Sequence, residues 1–469
     1  MFSFKLIFLI ASKFVLRHKQ TVILLILLVG FSFLIQLKYH LLSPEPAIRI
    51  GFIGTYQEHD LPLEMTQLVS QSLTKADKSG RIISNLSSGW ETNNDATRFT
   101  FRIKQDLKWS DGTTINSSNL SFSIPNAEAS FPDAQTVEFK LKEAYSPFPS
   151  LLASPLFKKD TLIGTGPYKI TKIEKSRIFI TKIILEPVNN SQPSLPKVVV
   201  RFYPNEKTAL TGFMLGEVEA LFGVNNNKLP KGENFKLTQI TDYGKVVAIF
   251  FNTKDPLLSN RSLRQALSFA APLIQNEVRA KGPYPDFSWA SFPGLKEYLD
   301  KPEDARTALE RAKTTTSNDA FEKAVVLTTT PQLEEIGKQV VAAWESLGLK
   351  ATLRVESGRP QNFQALLITQ SIPADPDQYF LWHSTQEQTN LTKYSPSCCP
   401  TSARVDKDLE DGRKGVKEED RKASYLDFQK VLIEDSPAAY LYFPKYNVIY
   451  LNKAEENLNK ILPLILSQN

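Results

Sequence analysis

Residues 323–355, KAVVLTTTPQLEEIGKQVVAAWESLGLKATLRV, decide the fold class. Ala324–Thr329 is a short apolar and β-branched run, the composition of a buried strand. Thr330 can cap a helix whose first position is Pro331, where a missing N–H costs nothing. The helix that follows sets Leu333, Ile336, Val340, Trp344 and Leu347 along one stripe. Gly348 supplies the left-handed residue that closes it. Leu349–Val355 then reads as a second strand. Strand, helix and strand joined by short loops predict a parallel pair, and hence an α/β lobe.

More elements lie on either side. Ala47–Ile53 reads as a strand, 60–75 as helical, and 81–103 as a hairpin-like region in which Arg98–Ile103 alternates strictly. Thr136–Leu141 alternates in the same way. Strands are predicted at 168–173, 178–185 and 198–202, after the turn Gly164-Thr-Gly-Pro-Tyr168. Helices are predicted at 206–216, 261–271 and about 417–434, and the charge-rich stretch 404–422 reads as a solvated helix face and loop. A chain of 469 residues is about three ordinary domains of ~150 residues, so two or three lobes are expected. Hydrophobic content of 42% and charged content of 23% exclude a disordered or fibrous chain.

The basic excess is unevenly placed. Lys+Arg number 56 and Asp+Glu 50, a formal charge of +6, yet no acid precedes Glu45. Five basic residues (Lys5, Lys13, Arg17, Lys19, Lys38) lie in that acid-free segment, and without them the balance is 51 against 50. The basicity is therefore a topology signal and carries no nucleic-acid hint. Thr21–Leu37 is an apolar run at the short end of a membrane span, with most of its flanking positive charge before it. Residues 1–44 are expected to be a cytoplasmic N-terminus and transmembrane anchor, with everything after about 40 extracytoplasmic. No small-residue cleavage site follows the run.

Catalytic motifs do not rise above chance. Ser72-x-x-Lys75, Lys78-Ser-Gly80 and Ser117-Ser-Asn119 have the wrong order and spacing for a penicillin-binding serine. Gly164-Thr-Gly166 lacks a third glycine and precedes a proline, which reads as a turn. There are 2 Cys and 4 His, which excludes a disulfide scaffold and leaves little for general-base work or metal ligation. Cys398-Cys399 are neighbours, either two thiols or one labile vicinal disulfide. Asp375-Pro-Asp377-Gln-Tyr379-Phe-Leu-Trp382-His383 is the densest cluster of carboxylates and aromatics. It reads either as a ligand or cation site or as an Asp-Pro turn leading a helix into the core. No catalytic residue, cofactor or metal site is assigned, and the silence points to binding.

Taken in order, a series of segments resembles the extracellular solute-binding proteins, family 5, the oligopeptide/dipeptide/nickel-binding components of ABC importers. Asp77-Lys-Ser-Gly80-Arg-Ile-Ile-Ser-Asn-Leu86-Ser-Ser-Gly-Trp90-Glu91 is one marker. Phe99-Thr-Phe-Arg102 through Lys108-Trp109-Ser-Asp111-Gly112 is another. Gly164-Thr-Gly-Pro-Tyr168, Leu215-Gly-Glu-Val-Glu-Ala220, Phe251-Asn-Thr253, Leu263-Arg-Gln-Ala-Leu267 and the helix before Pro437 complete the series, which spans about 47–450.

The resemblance implies a two-lobed, periplasmic-binding-protein-like α/β fold (type II, cluster C-like) that closes around ligand on a hinge. Residues 45–247, with 439–469 returning, would form lobe I, and 248–438 lobe II. It implies no enzyme activity. It also implies that an oligopeptide-like solute is held in the interlobe cleft and passed to ABC permease subunits. The alternative is a ligand-sensing or surface-interaction module without transport. Tyr56, Asn252, Asp375, Asp377, Tyr379 and Trp382 are the expected substrate-binding residues, by their position near cleft-forming segments. Two departures stand out. Residues 116–162 form a shorter stretch than in typical relatives. Ile372 occupies the position where peptide-binding members place the Asp that holds the peptide α-amine.

Overall fold

Lys245–Phe251 (KVVAIFF) is apolar at every position after its lysine, so it needs neighbours on both edges and cover on both faces. In the computed structural model it has both. It runs antiparallel to Ala365–Ser371 on one side and to Ala438–Phe443 on the other. The structure describes residues 47–188, 195–225, 234–317, 321–358 and 360–466. The expected anchor at 21–37 lies outside these, and among the described residues no helix is long and apolar enough to cross a membrane.

This sheet has six strands, in the order Val278–Arg279, Ala438–Phe443, Lys245–Phe251, Ala365–Ser371, Val325–Thr329 and Ala351–Val355. The strand–helix–strand unit is present, with Val325 opposite Ala351 in a parallel register. Its helix, Glu334–Ser346, starts later than the sequence suggested. A 3₁₀ turn, Pro331–Leu333, comes first, and Thr330 makes no side-chain cap. Val340 and Trp344 are fully buried. The Trp344 indole N–H donates to the Leu267 carbonyl at 3.0 Å, tying this helix to Arg261–Ala270.

The second large sheet has seven strands: Phe235–Thr241, Lys445–Leu451, Ala220–Phe222, Ala47–Ile53, Lys197–Tyr203, Phe179–Pro187 and Tyr168–Ser176. Ile48, Ile50, Leu185 and Val200 face a core shared with the helices Leu63–Val69 and Glu455–Ile465. A smaller four-stranded antiparallel sheet, Ser87–Thr92, Arg98–Ile103, Thr136–Leu141 and Ala127–Asp133, has its own aromatic core. Phe99, Phe101 and Ile103 point inward there, as the Arg98–Ile103 alternation predicts, beside Trp109, Phe139 and Phe148. Gly164-Thr-Gly-Pro-Tyr168 turns tightly against the end of Leu63–Val69. The Gly166 amide donates to the Val69 carbonyl at 2.8 Å.

The chain passes between the two large sheets at Asp242–Gly244 and again at Pro444. The passages lie side by side, since the Asp242 amide donates to the Pro444 carbonyl at 2.8 Å. Asp242 also accepts from the Gly244 amide at 3.0 Å and from Lys245 at 2.8 Å. The boundaries drawn from sequence, 247/248 and 438/439, fall inside the strands Lys245–Phe251 and Ala438–Phe443. Strand partners change at the passages, and hydropathy alone does not mark that change.

Candidate ligand-binding cleft

A cavity of about 640 Å³ opens beside the first passage and is lined from both lobes. The first lobe contributes the hairpin Thr74–Ala76/Ile82–Ser84 and the loop joining its strands. Register places Lys75 opposite Ile83, so both side chains share one face, and both line the cavity. Thr74 faces the other way and donates to the Pro149 carbonyl at 2.7 Å. The second lobe contributes Tyr243, Tyr284, Phe287, Ile372 and Ala374. Phe287 is 48% exposed and meets Tyr243 edge-on, with ring centroids 4.8 Å apart. Such a pair offers an apolar face to a ligand.

The charge of this cavity is set by lysines. Lys75 and Lys78 line it, and neither forms an ion pair among the described residues. Asp77, the carboxylate in the lining, already accepts from the Ser79 amide (2.7 Å), the Ser79 hydroxyl (2.7 Å) and the Arg81 amide (3.0 Å). Desolvation acts to raise its pKa, but these hydrogen bonds outweigh it and hold the carboxyl below the ordinary range. The lobes also touch. The Trp289 amide donates to the Ser79 carbonyl at 3.0 Å, and Arg81 Nε spans both Glu418 oxygens at 3.0 and 3.1 Å. The Ser146 amide donates to the Arg413 carbonyl at 2.9 Å.

The six residues expected from sequence do not gather in this cavity. Tyr56 packs on Phe202 and donates to the Ile53 carbonyl at 2.9 Å in the first lobe. Asn252 lines a separate cavity of about 600 Å³ with Asn362 and Glu387, and donates to the Phe363 carbonyl at 3.2 Å. Asp375 and Asp377 are buried, each facing an arginine. Arg421 donates to Asp375 at 2.5 Å, and Arg413 donates to Asp377 through two nitrogens at 3.1 and 2.9 Å. Asp375 also lines a smaller interlobe cavity of about 250 Å³ with Arg81 and Trp289. Tyr379 lies between His383, stacked at 4.1 Å, and the Arg413 guanidinium, also 4.1 Å from its ring. Trp382 is 2% exposed and belongs to the core, its indole N–H donating to Gln378 at 2.9 Å.

The 375–383 segment thus takes the form of an Asp-Pro turn leading a short helix, Tyr379–Trp382, into the core. The solvated reading of 404–422 needs correction, since Asp408 is buried and two arginines are consumed inside. Arg413 and Arg421 turn inward, because two buried carboxylates require neutralising partners. Sequence reasoning missed Lys75, Tyr243 and Phe287. The Asp77-Lys-Ser-Gly80 marker beside Lys75 was the one signal that could have drawn attention there.

Two lobes joined by adjacent passages, with a cavity lined from both, define the class of solute-binding proteins. The family signature of the bacterial extracellular solute-binding proteins, family 5 (Middle), matches residues 81–391. The chain belongs to that family, whose members are binding proteins and not enzymes. It is 22% identical over 442 residues to the probable D,D-dipeptide-binding periplasmic protein DdpA of Escherichia coli, covering 81% of this chain and 83% of that one. It is 22% identical over 472 residues to the oligopeptide-binding protein AppA of Bacillus subtilis, covering 84% of each. NikZ from Campylobacter jejuni, solved in complex with Ni(L-His), superposes with a TM-score of 0.66 at 20% identity, over 87% of this chain and 94% of NikZ.

Proposed function

We propose that this chain is a membrane-anchored, extracytoplasmic receptor that captures an oligopeptide-like solute between its lobes and delivers it to an ABC permease. The observation that carries this reading is the 640 Å³ cavity, lined from both lobes beside paired passages that can act as a hinge. The names of DdpA and AppA point to peptides as the ligand class. Anchoring rests on the apolar run 21–37, and tethering would raise the effective concentration of the receptor beside its permease.

The lining sharpens the ligand chemistry. Lys75 and Lys78, without an ion pair among the described residues, favour a ligand bearing a carboxylate, and Phe287 with Tyr243 favours an apolar side chain next to it. Ile372 lines the same cavity and offers an α-amine nothing. Asp375 keeps a part as a wall of the smaller interlobe cavity, and Asn252 lines a separate one. Asp377, Tyr379 and Trp382 hold the second-lobe wall in shape, and Tyr56 props the first lobe. The test is calorimetric titration of the purified full-length chain with Leu-Leu-Phe as free acid and as C-terminal amide. Lys75→Gln with Phe287→Ala should weaken binding of the acid at least tenfold and abolish the preference for acid over amide. Unchanged affinity in that double variant removes the assignment of the cavity.

A further inference from the structure

Cys398 and Cys399 lie outside the cleft and have no part in the binding just described. In an extended chain, neighbouring side chains point apart. Here the 395–402 turn draws them together. Both cysteine amides point to the Ser395 carbonyl, at 3.1 and 3.0 Å, and the Ser402 amide donates to Cys399 at 2.9 Å. The two sulfurs are 2.7 Å apart.

Their surroundings differ. Cys399 is 6% exposed and packs in the second-lobe core, whereas Cys398 is half-buried. Cys398 Sγ is 3.2 Å from Thr253 Oγ1 and 3.2 Å from the Ser395 carbonyl oxygen. Cys399 Sγ is 4.0 Å from Arg264 Nη2. Arg264 is itself buried and fixed by the carbonyls of Leu258 (2.9 Å), Ser259 (2.9 Å) and Asp435 (2.6 Å). Among the described residues the Asp435 carboxylate also faces the pair; it is engaged by Tyr394 and Thr401 and lies 3.4 Å from Arg261. The hydrogen bond from Cys399 brings Cys398 down to about 5, helped by Thr253 and opposed by burial. The same hydrogen bond and burial push Cys399 up. Cys398 is thus the sulfur open to a small disulfide, and Cys399 the one shielded in the core.

We propose that Cys398–Cys399 is a reversible dithiol–disulfide site, with Cys398 the attacking sulfur and Cys399 the resolving one. The Cys398 thiolate attacks one sulfur of a low-molecular-weight disulfide. A mixed disulfide forms on Cys398 and one small thiolate leaves. Cys399 then gives up its proton, its sulfur attacks Cys398 Sγ, and the second small thiolate departs. The protein loses two electrons and two protons, and the small disulfide becomes two thiols. The resulting eight-membered ring is strained, so excess thiol reopens it.

The test uses the full chain in its native state. It is incubated with oxidised or reduced glutathione, quenched with N-ethylmaleimide and mapped by peptide mass spectrometry. Under oxidised glutathione the peptide carrying both cysteines should be two hydrogens lighter and unalkylated, and reduced glutathione should reverse this. Cys399→Ser should accumulate a glutathione adduct on Cys398. Cys398→Ser should leave Cys399 at least tenfold slower to react. A dithiol that persists in excess oxidised glutathione, or adducts forming equally fast in the two variants, overturns the proposal. If either variant fails to fold, the site of the first adduct on the wild-type chain at early times decides. An adduct on Cys398 supports the assignment and one on Cys399 refutes it.

Discussion

Replacing Arg413 with Met should destabilise the protein through a carboxylate that cannot reach water. Asp377 has a side chain only 4% exposed, and Arg413 neutralises it through two nitrogens at 3.1 and 2.9 Å. Removing one partner of a buried ion pair costs about 3–5 kcal/mol, because the remaining charge is left uncompensated. The Arg413 side chain is 28% exposed, which places the ion-pair loss near the lower figure. Loss of its contact with the Tyr379 ring, at 4.1 Å, adds about 0.5–1 kcal/mol. The expected total is therefore about 3–4 kcal/mol, read as a shift of the urea midpoint at neutral pH with unchanged slope. Arg413→Met with Asp377→Asn should recover most of it, since no buried charge then remains.

The pH dependence gives a second handle. Burial already holds the Asp377 carboxyl above its ordinary value, with Arg413 opposing that rise. Without Arg413 the folded-state pKa climbs further above that of the unfolded chain. The folded protein then binds the proton more tightly, so stability falls as pH rises through that window. The deficit of Arg413→Met should be smallest near pH 4 and grow toward neutrality. A loss below about 1 kcal/mol, or a deficit that stays flat across the range, would refute the ion-pair reasoning.

Two further outcomes follow from other sites. Asp408 is pushed up to about 7 by burial and then by the neighbouring Asp427 carboxylate. Stability should therefore decline from about pH 4 to pH 7, and Asp408→Asn should remove that slope. It should stabilise the chain by about 2 kcal/mol above pH 7, half what the full shift would give at about 1.36 kcal/mol per unit, as read by urea melts at two pH values. A Cβ on Gly164 would sit 2.2 Å from the Val69 carbonyl oxygen and 2.6 Å from Ser70 Cβ. Gly164→Ala should cost about 1–3 kcal/mol by overpacking, and an unshifted melting temperature would show that this turn is free to move.

Periodic elements were legible because their signal is local. The stripe Leu333, Ile336, Val340, Trp344 and Leu347 lies against the second-lobe core as its 3.6-residue spacing requires, with Ile336 and Leu347 only partly covered. The helix Pro302–Thr315 went unread. Its buried side is mostly alanine (Ala305, Ala308, Ala312 with Leu309), which offers little contrast to a hydropathy pattern. The candidate site was the least legible part. Asp375 and Asp377 resembled a carboxylate site because nothing in the local sequence shows that Arg421 and Arg413, some forty residues later, neutralise them.

The sequence by itself determined the α/β class, the order of most strands and helices, the family resemblance and the source of the basic excess. Those properties depend on spacing, composition and motif order along a single chain. Tertiary structure alone decided where the chain changes sheets, which charges are consumed in ion pairs, and which side chains are left to face a ligand. Each of these depends on groups distant in the chain meeting in space. Folding brought an arginine to Asp377, whereas among the described residues no acid pairs with Lys75.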